Sequence, residues 1–469
     1  MSERNNTFEE KSDPRRNLPS VAILLESPEI MGLIKEYSRL IILDAINESL
    51  DWFRANLKNT DSTPTINDVI EKIKLFLLNI ESERLRPVVN ATGIILHTGL
   101  GRAVLPQNAA AALSQLNRCC NLQIDLKTGQ RGKRNFMTEF LLCKLTGAES
   151  AMIVNNNAAA TFLILSALCK GKEVIISRGQ LIEIGGSYRL PDCIRQSGAI
   201  MVEVGTTNKT HFYDYENAIT ENTAAILRVN PSNYRIIGFS EDVPISELVK
   251  LKQKQGLIVV DDLGCGALIN FEEYGLPKEP TVQDSISAGA DLVCFSGDKL
   301  IGGPQAGIIV GKKHLIARIK KHPLMRMLRV CKLTDFALQE TLRLFLNPET
   351  LIKNNPTLCM ITTPIEEIKK RAIRLKKMIE REKLSITIRL IEGESAVGGG
   401  SLPTSSIKTF LLGISSPTHS PDRLSYLLRQ NEVPIITRIK NDVVLIDVRT
   451  LLKGDDRIIY RALTKIAKS

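Results

Sequence analysis

Short apolar runs without polar alternation recur through the middle of the chain, separated by glycines and helix-like segments. A run in which every position is apolar is typical of a strand whose two faces are both covered, as in a parallel sheet between layers of helices. The pattern therefore predicts a doubly wound α/β fold with a mostly parallel central sheet of seven strands. The runs are AMIV from 151, EVIIS from 173, AIMVEV from 199, AAILRV from 224, GLIVV from 256, ADLVCF from 290 and AGIIV from 306.

The pattern changes on both sides of this region. Residues 21–84 place apolar side chains at helical spacing with few glycines, which predicts a small helical domain with Trp52 in its core. From about residue 345, a basic helical stretch, the turn GGGSLP and the strand DVVLIDVRTLL predict a smaller α+β domain. The predicted domains are residues 1–85, 86–345 and 346–469.

Charge adds a candidate partner. The formal net charge of +11 favours a polyanionic partner, although the first 85 residues hold 11 Lys and Arg against 15 Asp and Glu. Residues 312–332 hold eight Lys and Arg with no acid, and residues 366–389 hold nine against four. Each segment is either a basic surface for RNA or, as is commoner, a solvated helix face.

Composition argues against several classes of protein. No apolar stretch approaches the roughly 18 residues of a membrane span, and the polar N-terminal segment lacks the apolar stretch of a secretory signal. The nine cysteines are scattered without a CxxC pair, so neither a zinc site nor a disulfide framework is indicated. We expect a cytoplasmic protein with reduced, mostly buried thiols and no metal site.

Polar residues follow three of the predicted strands at their carboxyl ends, where a parallel α/β sheet binds its ligands. AMIV is followed by three asparagines and small residues that open a helix, where free amides can bind a phosphate, although Asn156 equally suits an ordinary helix cap. GLIVV is followed by Asp261 and Asp262. ADLVCF is followed by Ser296 and Lys299, with two glycines shortly after the lysine.

These features, in this chain order, are those that pyridoxal phosphate needs. A lysine amine forms a Schiff base with the cofactor aldehyde, a carboxylate keeps the pyridine nitrogen protonated, and a cradle binds the phosphate. Most lysines lie on the surface, but the glycine-flanked position after an apolar run singles out Lys299. The remaining predicted cofactor residues are Ser296, Asn156, Asn157 and Ala158.

Several longer motifs carry a specific resemblance to a known family. They are RPVVNATGIILHTGLGRAVL (86–105), LTGAESAMIVNNNAAA (145–160), SRGQLIEIGGSYRLPD (177–192), EVGTTNKT (203–210), the stretch from DLGCG to IIVGKK (262–313), and GGGSLP with IDVRTLL (398–452). Together they resemble bacterial selenocysteine synthase, the L-seryl-tRNA(Sec) selenium transferase. The resemblance implies a fold-type-I pyridoxal phosphate enzyme that converts seryl-tRNA(Sec) to selenocysteinyl-tRNA(Sec) with selenophosphate. It also implies a homo-oligomer, expected as a ring-shaped decamer, whose N-terminal domain recognises the tRNA.

The resemblance also implies site residues. Arg102, Arg326 and Arg329 match positions that bind the anionic selenium donor, and their spacing predicts that the last two share one helix face. Asp262 is preferred to Asp261 for the pyridine nitrogen, because it belongs to the matching DLG motif and adjacent strand residues point to opposite faces. Two further predicted site residues are Asp298, as a proton relay or a helix cap, and Arg178, near the cofactor.

Three positions depart from the family pattern. Cys331 stands where we expect an acid, Gln180 where glutamate is usual, and Lys133 where a small residue is common. The lysine, carboxylate, cradle and arginines all remain, so we still expect catalysis. These departures put any acid–base or subunit-contact role at Cys331 or Gln180 in doubt.

Two other functions stay open at this point. A pyridoxal phosphate lyase or aldolase acting on a free amino acid or amino sugar would share the cofactor residues, although the helical N-terminal domain and the three arginines argue against it. A catalytically inactive RNA-binding relative would leave the intact surroundings of Lys299 without a purpose.

Overall fold

The computed structural model describes residues 18–56, 64–254, 256–382 and 384–468. The chain forms two compact units, Met1–Pro87 and Val88–Ser469. A further division of the second unit near residue 345 stays a prediction. No helix within the described ranges is long and apolar enough to cross a membrane.

The first unit is helical, as the spacing of apolar residues predicts. Ile42, Ile46 and Leu50 repeat every four residues along one face of the helix Arg39–Asn56, and all three are buried. Trp52 lies off this face and is 46% exposed, with the Lys72 Nζ 3.7 Å from the centre of its ring, so its predicted core position was wrong. The helices in the described part are α1 (Val21–Leu25), α2 (Pro28–Tyr37), α3 (Arg39–Asn56) and α4 (Ile66–Glu83).

A seven-stranded sheet forms the centre of the second unit, and each predicted apolar run supplies one strand. The strands are β1 (Ser150–Val154), β2 (Glu173–Ser177), β3 (Ile200–Val204), β4 (Thr223–Val229), β5 (Ile258–Gly264), β6 (Leu292–Ser296) and β7 (Gly307–Gly311). Their spatial order is β1-β7-β6-β5-β4-β2-β3. Only β7 runs antiparallel to its neighbours, so the predicted mostly parallel sheet is confirmed.

Helices cover both faces of this sheet, which explains the lack of alternation in the strands. In β6, Val293 and Phe295 enter one buried cluster while Leu292 and Cys294 enter the other. The covering helices and their extensions are α5 (Gln107–Leu113), α6 (Phe136–Thr146), α7 (Asn157–Leu168), α8 (Leu190–Gln196), α9 (Phe212–Ala218), α10 (Ile245–Leu248), α11 (Val282–Ser287), α12 (Lys313–Lys321), α13 (Leu324–Met327), α14 (Lys332–Leu344), α15 (Pro348–Asn354) and α16 (Pro356–Thr362).

The C-terminal part of the unit is α+β, as predicted. An antiparallel sheet of order β8-β9-β11-β10 packs against three helices. Its strands are β8 (Thr387–Gly398), β9 (Ser401–Ser415), β10 (Arg438–Lys440) and β11 (Val443–Asp447), and its helices are α17 (Ile365–Glu380), α18 (Pro421–Arg429) and α19 (Asp455–Lys468). Two-residue strands pair Val89–Asn90 with Ile435–Ile436 and Glu183–Ile184 with Tyr188–Arg189. Short 3-10 turns span Thr98–Leu100, Ser114–Asn117, Arg178–Gln180, Val249–Lys254, Phe271–Tyr274 and Val448–Thr450.

We predict that Gly307→Ala destabilises the second unit. A Cβ on Gly307 would lie 2.0 Å from the Asn156 carbonyl oxygen, so β7 or the start of α7 must shift, at a cost of about 1–3 kcal/mol. Denaturation of both variants should show a lower midpoint for Gly307→Ala than for the control Gly185→Ala, whose added Cβ meets nothing within 4 Å. Equal midpoints would contradict this close approach of β7 to α7.

Candidate active site

Lys299 lies in a tight buried turn directly after β6. The residue is 6% exposed, and its carbonyl accepts from the Gly302 N–H at 2.9 Å. Gly302 has a φ of +72°, and a Cβ there would come 2.5 Å from the Asn355 Oδ1. Both the backbone conformation at position 302 and its surroundings therefore require a glycine. The turn holds the lysine backbone rigidly at the carboxyl end of the sheet.

Asp262 ends β5 with its carboxylate held by three donors. The Asn157 Nδ2 and the Thr161 Oγ1 each donate to it at 2.7 Å, and the Gly264 N–H donates at 3.1 Å. Burial raises the pKa of Asp262, while these hydrogen bonds and the charge of Lys299 oppose that shift. The carboxylate is thus oriented by α7 and lies within electrostatic range of the lysine.

Asp261 points away from this carboxylate, as alternation along a strand requires. It accepts from the Arg228 Nη1 at 2.8 Å and from the Ser285 Oγ at 2.6 Å, and it is fully buried. Asp261 therefore belongs to a structural ion pair, whereas Asp262 faces the start of α7.

The three asparagines at the start of α7 have different surroundings. Asn156 is the helix cap, since its side chain accepts from the Ala159 N–H at 2.9 Å. Asn157 donates to Asp262, while its Oδ1 is buried without a hydrogen-bond partner in the described part of the chain. The first-turn N–H groups, including those of Asn157 and Ala158, have no acceptor within the helix. They remain available to an anion.

These residues fit pyridoxal phosphate. The site combines a buried amine, an oriented buried carboxylate and the free N–H groups of a 12-residue helix. Ser296, which is 5% exposed, ends β6 beside Gly307 and so lies at the same edge of the sheet. Lys299, Asp262, Ser296 and the start of α7 are therefore gathered at one end of four neighbouring strands.

Arg102 and Asp298 form an ion pair next to the lysine. The Arg102 Nη1 lies 2.8 Å from the Asp298 Oδ2, and Arg102 adopts a positive φ of 62°. Asp298 is 6% exposed and caps no helix in the described part of the chain. Arg102, although distant in sequence, is thereby brought to the Lys299 turn.

Arg326 and Arg329 do not share a helix face, so that prediction was wrong. α13 ends at Met327, and Arg329 lies beyond it. The two arginines still lie close together, because Arg134 and then Arg326 lower the pKa of Arg329. Arg131 adds to the same effect. The result is a group of four arginines, Arg131, Arg134, Arg326 and Arg329, which we call the arginine cluster.

The arginine cluster borders the free edge of β1. Arg134 and Arg329 line a cavity of about 190 Å³ there, and the Arg134 Nε is buried without a partner in the described residues. The Asn155 N–H donates to the Leu328 carbonyl at 3.1 Å, which ties the cluster to the end of β1.

Arg178 makes no hydrogen bond or ion pair with Lys299 or Asp262 in the described part of the chain, and its predicted place near the cofactor stays a prediction. Its Nε is 3.2 Å from the Glu203 Oε2, its Nη1 donates to the Gly205 carbonyl at 3.1 Å, and half of its side chain is exposed. These contacts fix Arg178 at the ends of β2 and β3.

A polar cavity of about 190 Å³ opens beyond the ends of β2, β3 and β4. Its wall includes Asp242, which is exposed to solvent through the cavity. The surrounding protein atoms still desolvate this carboxyl and raise its pKa. Arg235 lines the same cavity and is exposed, with no ion pair in the described part of the chain. Other lining residues are Ser177, Gly179, Gln180, Thr206, Thr207, Asn208, Thr210, Pro231, Tyr234, Ile236, Ser240 and Glu241.

Gln180 is explained by its neighbour Asp242. The Gln180 Oε1 accepts from the Val229 N–H at 2.9 Å, which leaves its Nε2 to donate to both Asp242 oxygens, at 2.9 and 3.1 Å. Because a backbone N–H can only donate, this orientation of the amide is fixed. A glutamate here would place two carboxylates together.

The other two unusual positions lie on the surface. Cys331 is the exposed cap residue of α14, and hydrogen bonds from the Thr334 backbone, followed by its side chain, lower the pKa of its thiol. Lys133 is exposed. Of the nine free cysteines, Cys169, Cys193, Cys265 and Cys294 are buried, fewer than expected.

Some residues that shape the site carry no distinguishing pattern in the sequence. Thr161 has no feature that sets it apart from other helix residues. Glu279 lies in a loop, between Pro277 and Pro280. Arg131 and Arg134 precede α6 with no apolar run to mark a strand end. For Glu279, the only signal is its place inside the long matching motif 262–313.

We predict that Gln180→Glu destabilises the protein and that Asp242→Asn restores it. The single change opposes two carboxylates at a cost of about 1–3 kcal/mol, whereas the double variant again pairs an amide with a carboxylate. Burial already raises the pKa of Asp242, so the Gln180→Glu penalty should shrink as pH falls, because one carboxyl takes up a proton. Denaturation midpoints at several pH values measure this; additive single-variant effects would contradict the pairing.

Comparisons with known proteins agree with this site. Residues 88–452 match the L-seryl-tRNA selenium transferase family, and residues 15–52 match the selenocysteine synthase N-terminal family. An L-seryl-tRNA(Sec) selenium transferase of Clostridium botulinum (strain Okra / Type B1) is 44% identical over 98% of this chain and 100% of its own length. One from Carboxydothermus hydrogenoformans is 46% identical over 96% of this chain and 97% of its own.

The fold also has a relative among solved structures. A D-glucosaminate-6-phosphate ammonia-lyase covers 87% of this chain and 99% of its own, with a TM-score of 0.55 and 21% identity. Its likeness supports the predicted fold. The family match and the full-length relatives go further and confirm the pyridoxal phosphate cofactor and the transferase class. The chain belongs to the L-seryl-tRNA selenium transferase family.

Proposed function

We propose that this protein converts seryl-tRNA(Sec) to selenocysteinyl-tRNA(Sec), with selenophosphate as the selenium donor. The observation that carries the proposal is the buried Lys299 turn facing an Asp262 carboxylate that α7 holds in place. Full-length relatives that bear the name of this activity support it. Arg102, beside the Lys299 turn, and the arginine cluster are cationic groups that suit an anionic donor.

Pyridoxal phosphate, when bound, supplies an electron sink that makes the seryl Cα–H bond acidic. Asp262 would hold a proton on the ring nitrogen, and Asn157 and Thr161 would keep that carboxylate oriented. The first-turn N–H groups of α7, with Ser296, would bind the phosphate. Lys299 would anchor the cofactor and then act as the base that takes the Cα proton.

The arginines would bind the donor. A guanidinium group offers paired donors that match a phosphate-like oxyanion. Arg329 lies near three other arginines, and Glu139, the carboxylate that lines the same cavity, is paired with Lys320 at 2.8 Å, which favours an anion between the arginines. Arg102 and Asp298 would orient the donor or relay a proton beside Lys299.

The polar cavity would receive the end of the tRNA. Of the strands it borders, β4 is the neighbour of β5, and the cavity opens at the same carboxyl end of the sheet as Asp262. Asp242 can accept hydrogen bonds from ribose hydroxyls, and Arg235 can pair with a phosphate. A seryl ester seated there would extend toward Lys299.

The wider assembly is part of the same proposal. We expect a ring-shaped homo-decamer working in the cytoplasm, where its tRNA substrate is made, with the first unit recognising the tRNA body. Light scattering on the purified protein measures the assembly, and a monomer would contradict it. An activity that survives removal of residues 1–85 with unchanged tRNA affinity would contradict the role of the first unit.

We predict that Lys299→Ala abolishes selenium transfer. Purified wild type, incubated with seryl-tRNA(Sec) and selenophosphate, should form selenocysteinyl-tRNA(Sec), and the variant should not, because it lacks both anchor and base. A control, Lys313→Ala, removes an exposed lysine from the start of α12 and should retain activity. Product from both proteins would refute the role of Lys299, and product from neither would refute the function.

The same assay tests the donor site and the alternatives. Arg329→Gln should raise the KM for selenophosphate by about 10-fold or more, as expected for loss of a charge-assisted hydrogen bond. An unchanged KM would show that Arg329 does not bind the donor. Release of ammonia or pyruvate from free amino acids would instead favour a lyase.

We predict that charge reversal on α17 weakens tRNA binding. Lys369, Lys370 and Arg374 are exposed on this helix, although the Lys370 Nζ pairs with Glu367 at 2.6 Å. Changing all three to glutamate should lower tRNA affinity and flatten its dependence on salt, because phosphate contacts release counterions. Unchanged affinity and salt slope would assign this basic segment to a solvated helix face.

A further inference from the structure

Glu279 is a buried carboxyl beside the proposed site that none of the steps above uses. The residue is 6% exposed, and its Oε1 accepts from the Asn230 Nδ2 at 3.2 Å. The Cys265 thiol lies close enough to hydrogen-bond to it, and the same thiol donates to the Gly400 carbonyl at 3.1 Å. Within the described ranges, Glu279 forms no ion pair with a lysine, arginine or histidine. A buried carboxyl without a cationic partner is uncommon and is often functional.

Backbone contacts place Glu279 between the Asp262 strand end and the Lys299 turn. The Asn230 N–H donates to the Asp262 carbonyl at 2.8 Å, so the amide that binds Glu279 is fixed to β5. The Cys265 carbonyl accepts from the Leu300 N–H at 3.4 Å, so the thiol on its other side adjoins the lysine turn. Asn230 thus links Glu279 to the backbone of Asp262, and Cys265 links it to Leu300, the neighbour of Lys299.

The groups around Glu279 define its charge state. Burial raises the pKa of its carboxyl, which favours the protonated form. Hydrogen bonds from Cys265 and Asn230 oppose that shift, as do the charges of Arg235 and Lys299. Arg235 lines the polar cavity, so Glu279 is within electrostatic range of both a residue of the cavity wall and Lys299.

Other carboxyls near the site are already engaged. Asp262 accepts three hydrogen bonds, Asp298 pairs with Arg102, and Asp242 accepts from Gln180. The Glu241 Oε2 lies 3.8 Å from the Lys209 Nζ. Each of these contacts stabilises an ionised carboxylate, which is a poor proton donor.

We propose that Glu279 is a catalytic general acid, which protonates the hydroxyl that leaves the seryl side chain. The inference rests on the proposed function. Lys299 takes the Cα proton, and the C–H electron pair forms the Cα–Cβ double bond as the Cβ–O bond breaks. The oxygen keeps the C–O electron pair, receives the proton of Glu279 and departs as water, and Glu279 regains a proton from solvent. A hydroxyl needs this proton because hydroxide is a poor leaving group.

Glu279→Gln tests the proposal, because glutamine still accepts from Asn230 but cannot donate an acidic proton. Turnover of seryl-tRNA(Sec) should fall by about 10²- to 10⁴-fold, the usual contribution of a general acid. Turnover of tRNA(Sec) charged with β-chloroalanine should stay near wild type, because chloride leaves without a proton. The visible absorbance of the bound cofactor should also be retained. Glu273→Gln, at an exposed glutamate in the preceding turn, is the matched control.

Two outcomes would overturn the proposal. Unchanged turnover of the seryl substrate by Glu279→Gln would show that Glu279 is not the general acid. Equal losses with both substrates would show that its role is structural. Failure of the wild type on both substrates would instead refute the proposed function, so the two failures are distinguishable.

A measurement on the wild type keeps the test decisive if Glu279→Gln does not fold. The rate with seryl-tRNA(Sec) should fall as pH rises through the pKa of Glu279, since the acid must carry its proton. With the β-chloroalanyl substrate, that alkaline decline should be absent. A decline of the same size with both substrates would overturn the assignment.

Discussion

The carboxylate of Asp262 and the two donors that hold it from α7 organise the whole site. Asn157 and Thr161 lie one turn apart on the helix, so both reach the same carboxylate. This contact fixes the end of β5 against the start of the helix whose free N–H groups suit a phosphate. Neither the helix start nor the strand end would be positioned for a cofactor without the other.

Buried charge is handled differently at each position around that contact. Asp261 is fully buried and paired with Arg228, whereas Asp242 accepts from the Gln180 amide at a cavity open to solvent. Glu279 accepts from the Asn230 amide, lies beside the Cys265 thiol and forms no ion pair in the described residues. The position of each carboxyl therefore decides whether it serves as a structural ion, a positioned acceptor or a proton donor.

The two groups of arginines suit the anionic donor proposed above. Arg102 reaches the Lys299 turn through its pairing with Asp298, whereas the arginine cluster gathers at the free edge of β1. Crowded guanidinium groups repel one another, and an oxyanion between them would relieve that repulsion.

The sequence by itself determined the sheet and its principal site residues, because these depend on local patterns. Runs with every position apolar mark strands covered on both faces, and all seven formed the central sheet. Lys299 and Asp262 follow such runs, so their meeting at one sheet edge was predictable. Tertiary structure decided what depends on contacts between distant segments: the exposure of Trp52, the end of α13 before Arg329, and the pairing of Gln180 with Asp242. Glu279 belongs to this second group, because the burial that favours its proton arises only when the loop packs between β5 and the lysine turn.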